Sequence, residues 1–289
     1  MNRLMHRAAL RARPAASFAL RQLAGLLEIG ALPSAAHRPW PLPDRPWIMA
    51  QTWETLLFAH WPLPERTLRP LVPPGLVLHT FAGQAWVTVA PFVITGLRPR
   101  VAPPIRGLST FPELNVRTYV TVDDRPGVFF FSLDAGSAAA VTAARALFSL
   151  PYFRARFDIG GDHARVVYRS RRIHPGAPAA EFWAVYLPTG PARPPEPGTL
   201  AHWLTERYCL YAVTRSGRLR RAEIHHLPWP LQPAEADIRV NTLTSGLGFA
   251  LPGTAPLVHY ARRLDVHVWA PQTLPSGGRI RLRAARGSR

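Results

Sequence analysis

Residues 207–226 read RYCLYAVTRSGRLRRAEIHH. Two runs rich in β-branched, aromatic and alternating residues, 207–215 and 218–226, flank Ser216-Gly217. A Ser-Gly pair between such runs is the signal of a two-residue β-hairpin. That turn pairs residues whose numbers sum to about 433, which sets Tyr208 opposite His225 with Glu206 just beyond. The same kind of segment recurs along the chain: 84–94, 114–122, 127–134, 164–173 and 180–188 are bounded by Pro, Gly or Asp, and 256–271 supplies a last strand pair or one long bent strand. Only two stretches read as helix. The alanine-rich 136–150 stops before Pro151, and 198–208 has Thr199 as N-cap with Leu200, Trp203 and Leu204 on one face. Asp134 then ends a strand or caps the first of these helices.

Composition agrees with a β-rich chain. The 289 residues are 47% hydrophobic and 18% charged, enough to bury a core, and the 32 prolines and 20 glycines suit many turns rather than a helical bundle. The expected organisation is an arginine- and proline-rich, largely disordered extension over 1–47, one domain over 48–271 and a basic, disordered tail over 272–289. Residues 1–35 alternatively form a short amphipathic helix or mimic a transit peptide. Without a convincing export signal or a transmembrane run, the expected location is cytoplasmic.

The formal charge of +18 comes with no lysine at all, so every one of the 35 basic residues is arginine. Many stand at the two ends, and no dense basic helix occurs between them, so no specific nucleic-acid partner is expected. The absence of lysine excludes a lysine Schiff base and lysine-anchored pyridoxal phosphate. Cys209 is the single cysteine, lies in an apolar run and reads as an inert buried thiol. Neither a metal site nor a cofactor is expected: the chain has no P-loop, no dinucleotide fingerprint and no helical His-x-x-x-His pair.

The candidate site residues come from strand geometry. On an extended chain successive side chains point to opposite faces. In FPELNVRTYV (111–120), Asn115, Arg117 and Tyr119 therefore share one face, and Leu114, Val116, Thr118 and Val120 share the other. The apolar face packs against helix or sheet, and the polar face lines an interior or faces solvent. Arg117 is positioned to fork onto a carboxylate, either Glu113, Glu206 or one on a ligand. By the same alternation His225 and His226 face opposite ways, so one can carry protons in a pocket while the other bonds backbone, or both are structural. Glu206 and Arg207 form either a structural ion pair or cap, or Glu206 is a pocket carboxylate whose pKa is raised by apolar neighbours.

Six stretches in order, LLFAHWPLPERTLRPLVPPGL, TFAGQAWVTVAPF, FPELNVRTYV, GVFFFSLDA, TERYCLYA and IHHLPWPLQPAE, resemble the YqjF-like (DUF2071) family over about residues 50–270. That resemblance implies the fold of acetoacetate decarboxylase, a β-rich α+β architecture with an antiparallel, β-barrel-like assembly around an apolar pocket and a few outer helices. It does not carry the decarboxylase chemistry, which needs the lysine that this chain lacks. Two functions remain: a small-molecule enzyme with Glu206, His225 or His226 handling protons and Arg117 holding an anion, or a non-catalytic binder of an apolar or weakly acidic metabolite. In both, Trp86, Tyr119, Phe130 and Tyr208 supply aromatic walls.

Overall fold

The computed structural model describes residues 32–275. The expectations for residues 1–31 and 276–289 lie outside the described residues. Thirteen strands and three short α-helices make up the body. In chain order these are β1 (Met49–Leu63), α1 (Glu65–Leu68), β2 (Val77–Leu78), β3 (Ala85–Pro99), β4 (Phe111–Val122), β5 (Arg125–Ala135), α2 (Ala138–Phe148), β6 (Tyr152–Gly161), β7 (Val166–Arg172), β8 (Glu181–Pro188), α3 (Leu200–Thr205), β9 (Cys209–Val213), β10 (Leu219–His225), β11 (Leu231–Asn241), β12 (Leu257–Val268) and β13 (Gln272–Thr273).

Seven strands pair around a closed ring in the order β5-β4-β3-β1-β12-β10-β9, with β9 returning to β5. A second limb, β6-β7-β8-β11, leaves the ring at β5 and rejoins it at β12. The outward apolar residues of β1, β3 and β4, such as Leu57, Val87, Leu114 and Val116, meet Tyr168, Phe182 and Tyr186 of the second limb in one core. The inward residues of the same strands belong to a second core inside the ring. Strict alternation along β4 is what sends Leu114 and Val116 one way and Glu113, Asn115 and Arg117 the other.

Two irregularities set which residues face inward. Thr55 takes a left-handed φ of 52°, and the β1–β3 register shifts between Glu54 and Ala59. The inward set changes there from Met49, Gln51 and Trp53 to Leu56 and Phe58. A register shift between β4 and β5 at Val116/Arg117 does the same on β5, from Val128 and Phe130 to Leu133.

Two sequence expectations are corrected. The sheet is mixed, because β5 pairs in parallel with both β6 and β9. The β5-α2-β6 connection is a helical crossover, which is what parallel neighbours require. The 207–226 hairpin slips by one: Leu219 pairs with Val213, so partners sum to 432 and Tyr208 lies opposite Ile224 rather than His225. The cause is the turn. Thr214 and Arg218 close a three-residue loop in which Gly217 takes the left-handed conformation, φ 78°. Asp134 stands at the end of β5, one residue before its last, as the strand-end reading has it, and Ser137 caps α2 by accepting from the Ala140 N–H. Thr199 caps α3 as the sequence predicts.

The lead-in from residue 32 to 47 packs on the outer face of β10. Arg38 is buried, donates to the Ile224 carbonyl at 2.5 Å and forms an ion pair with Glu223 at 3.2 Å. Trp40 donates to the same carboxylate at 2.9 Å. Packed structure thus begins ahead of residue 48. Among the described residues no helix is long and apolar enough to cross a membrane.

Candidate functional site

Inside the ring lies a cavity of about 190 Å³. Strands β1, β3, β4 and β5 supply most of its walls, α2 covers one side, single residues of β6, β9, β10 and β12 contribute, and the segments after α3 and β10 complete it. The lining is mostly aromatic and aliphatic. A few polar groups interrupt it, chief among them Glu113, Asn115 and Arg117 from β4, Tyr152 from β6, Arg207 after α3 and His226 after β10.

Two arginines that line this space carry unused donors. Arg117 is 7% exposed, and its Nε and Nη2 have no hydrogen-bond partner among the described residues. Its guanidinium sits 5.0 Å from the Phe58 ring centroid and 5.9 Å from that of Tyr119. Arg207 is 4% exposed, with Nε and Nη2 likewise unpartnered. Its Nη1 donates to His79 Nδ1 at 3.0 Å, which requires that nitrogen to be a lone pair. His79 is suited to this: burial first and the Arg207 charge second lower its pKa to about 4, so it stays neutral. Burial pushes Arg207 down to about 10, which still leaves it charged near neutrality. Aromatic faces of Trp203 at 4.5 Å and Tyr119 at 5.1 Å flank it.

Glu113 occupies the opposite stretch of β4. Its carboxylate is buried, accepts the Tyr152 hydroxyl at 2.8 Å on Oε2 and has no cationic partner among the described residues. Burial dominates and raises its pKa to about 8, with the neighbouring Asp134 adding to the rise. Near pH 7 Glu113 is therefore mostly a neutral acid. Asp134 itself is held by Arg172 through a fork of 2.8 and 3.2 Å.

The sequence candidates separate cleanly in space. Arg117, Phe130 and His226 line the cavity. His226 is fully buried. Its Nδ1 lies 2.7 Å from the Leu227 carbonyl, its Nε2 lies 3.4 Å from the Arg207 carbonyl, and burial lowers its pKa to about 4. His225 faces the other way, as alternation requires, with Nε2 3.1 Å from the Pro33 carbonyl and its ring stacked on His37 at 5.7 Å. Glu206 lies outside the cavity wall, where its carboxylate accepts the Tyr208 hydroxyl and, at 2.8 Å, the Trp229 N–H. It does not pair with Arg207. Tyr208 is stacked on His226 at 4.8 Å but does not reach the cavity. Tyr119 exchanges a hydrogen bond with Thr88 at 2.6 Å, and Thr88 contacts His60 at 2.8 Å. Trp86 packs in the inner core away from the cavity surface. Cys209 is buried, and its thiol is pushed up to about 12 by burial.

Sequence reasoning missed Glu113 and Arg207 as cavity groups. The signal for Glu113 was present: it continues the 115, 117, 119 face by two residues. Arg207 follows a helix end, where no periodicity fixes direction. Among the described residues no group of three or more metal-ligating side chains gathers.

Solved structures with this architecture belong to the acetoacetate decarboxylase-like fold. The enduracididine biosynthesis enzyme MppR, in a structure with bound HEPES buffer, superposes with a TM-score of 0.57 at 13% identity, covering 81% of this chain and 89% of its own. Acetoacetate decarboxylase from Legionella pneumophila gives 0.53 at 12% identity, covering 83% and 93%. At such identities the likeness is one of fold alone. Residues 50–265 match the DUF2071 family, described as "Uncharacterized conserved protein", and the chain belongs to that family. Its relative YqjF from Bacillus subtilis (strain 168) is 48% identical over 228 residues, 79% of this chain and 93% of that protein.

Proposed function

We propose that the protein is a small-molecule enzyme that binds a carboxylate with an apolar body inside a barrel-like ring and moves a proton with Glu113, without a lysine imine. One observation carries the reading: Arg117 and Arg207 both line the same cavity, and each guanidinium keeps N–H groups without a partner among the described residues. A buried donor left unmade costs about 1–3 kcal/mol, more when charged, so two such groups are a site in search of acceptors. A carboxylate supplies four acceptor positions in a plane that matches the guanidinium fork. Pyruvate, which MppR holds in one of its structures, is a carboxylate of this kind. The remaining lining favours an apolar body.

Glu113 supports proton transfer because its pKa of about 8 is near the pH at which a general acid or base works best. His226 lies beside the same space, but both its ring nitrogens face backbone carbonyls, so it shapes the wall and the proton falls to Glu113. In this reading Glu113 takes the role expected of Glu206.

The test is calorimetric titration of benzoate and hexanoate, with benzamide and hexanamide as neutral controls. The acids are expected to bind and the amides not. R117M and R207M should each weaken the acids by more than about tenfold, the scale of a lost charge-assisted hydrogen bond. Equal binding of acid and amide, or unchanged affinity in both variants, would overturn the anion site. A non-catalytic binder shares this anion site and differs at Glu113. E113Q would leave that protein's physiological role intact but would abolish turnover in an enzyme.

A further inference from the structure

The polar groups of the cavity are not one cluster. They sit at two poles along a single strand. Glu113 and Arg117 lie four residues apart on the same face of β4, and a strand rises about 3.3 Å per residue, so their Cα atoms are about 13 Å apart. The Arg117 guanidinium leans over Phe58 and toward the Tyr119 ring, the neighbour on the side away from Glu113. Asn115 lies between the poles, with its Oδ1 unpartnered. The cavity is continuous from one pole to the other, because all three residues line it.

The poles offer opposite chemistry. At the Arg117–Arg207 end the protein presents cationic donors. At the Glu113 end it presents a buried carboxyl with no cation to balance it. The Tyr152 hydroxyl already occupies Oε2, which leaves Oε1 and the acid proton for the cavity. A neutral carboxyl in that setting is a hydrogen-bond donor, so its complement is an acceptor without positive charge.

Resting on the anion site described above, we propose that the ligand is two-ended: an oxo-carboxylate whose carboxylate sits on Arg117 and Arg207 and whose carbonyl oxygen accepts a hydrogen bond from Glu113. The two Cα atoms are about 13 Å apart, so the ligand's carboxylate and carbonyl stand several bonds apart. A 6-oxoalkanoate, with its carbonyl about five bonds from the carboxyl carbon, is the extended probe for that arrangement. The carbonyl is then hydrogen-bonded to an acid at the moment it needs one, which polarises it for attack or enolisation.

The groups that face Glu113 isolate its titration. Tyr152 and Tyr168 have their pKa values raised well above the usual phenol range, chiefly by burial, and Asp134 is held in the fork of Arg172. Between about pH 7 and pH 9 Glu113 is the group that changes state. Arg207 begins to lose its proton only near 10, and any such loss affects every carboxylate probe alike.

The experiment is calorimetric titration of 6-oxoheptanoate, heptanoate and 6-aminohexanoate against the full chain and the variants E113Q, E113L and R117M. Near pH 7 the oxo acid should bind the unmodified protein about fivefold to tenfold tighter than heptanoate, the scale of one buried hydrogen bond. Near pH 9 that ratio should fall to about one or below, because an ionised Glu113 repels the carbonyl oxygen. E113Q should keep the preference at both pH values, since an amide N–H donates without titrating. E113L should lose it at both. R117M should weaken both acids while leaving their ratio near its original value. If heptanoate and the oxo acid bind equally throughout, the two-ended ligand is wrong and the anion site stands. If neither binds and R117M changes nothing, the anion site itself has failed. Tight binding of 6-aminohexanoate near pH 7 would also overturn the proposal, because an ammonium needs Glu113 ionised. Near-ultraviolet circular dichroism of each variant separates loss of binding from loss of fold.

Discussion

Replacing Glu113 by Gln tests the burial of this carboxyl through stability alone, with no ligand required. In the folded protein its pKa is about 8 against an ordinary value of 4.5, and the first cause is burial. A raised folded pKa means that the folded state holds the proton more tightly than the unfolded chain does. The associated stability is fully present below about pH 4.5 and is lost as pH rises through about 8. Each pH unit in that window is worth about 1.36 kcal/mol, so the total loss is on the order of 4–5 kcal/mol, an upper bound because the interior relaxes. The amide of Gln carries no such penalty and keeps an oxygen to accept the Tyr152 hydroxyl. Urea unfolding of both proteins from about pH 4 to pH 9 is the assay. The curves should lie within about 1 kcal/mol at the acid end and diverge steadily above about pH 5, with E113Q the more stable by several kcal/mol near pH 9. A difference that does not vary with pH would refute the reasoning, because it would mean that Glu113 ionises in the fold as easily as in water.

Three other outcomes follow from contacts outside the cavity. D134N breaks the buried fork to Arg172, whose partners are 0% and 6% exposed, and should cost about 3–5 kcal/mol in urea unfolding. E206Q weakens the bonds from the Tyr208 hydroxyl and the Trp229 N–H; it should cost about 1–3 kcal/mol while shifting benzoate affinity far less than R117M does. R38M leaves Glu223 with the side chains of Arg125, Arg221 and Trp40, and should loosen the 32–47 segment, read as faster amide exchange at Ile224 and Trp40.

Much of the frame was legible from local pattern. The alternation in FPELNVRTYV assigned the two faces of β4 before any neighbour was known, because a strand's period is a property of the backbone itself. The same rule separated His226 from His225. The Pro151 stop and the Thr199 cap bounded the helices for equally local reasons. What local pattern misjudged was the hairpin turn. Ser216-Gly217 fits either a two- or a three-residue loop, and the choice moves every cross-strand partner by one. Strand β1 was not read as a strand from the sequence, since its left-handed Thr55 interrupts the alternation.

The sequence by itself determined which chemistry is closed to this protein: with no lysine anywhere, a lysine imine is impossible however the chain folds. It also determined that β4 carries its polar side chains on one face. Only the tertiary structure decided which ionisable groups meet. Glu206 and Arg207 are adjacent in sequence yet diverge, one toward Trp229 and the other into the cavity. Arg117 and Arg207 are 90 residues apart in number and share that cavity. The protonation of Glu113 was decided at the same level. A carboxyl's charge depends on the water it loses and the charges around it, and both are set by strands that the local sequence cannot see.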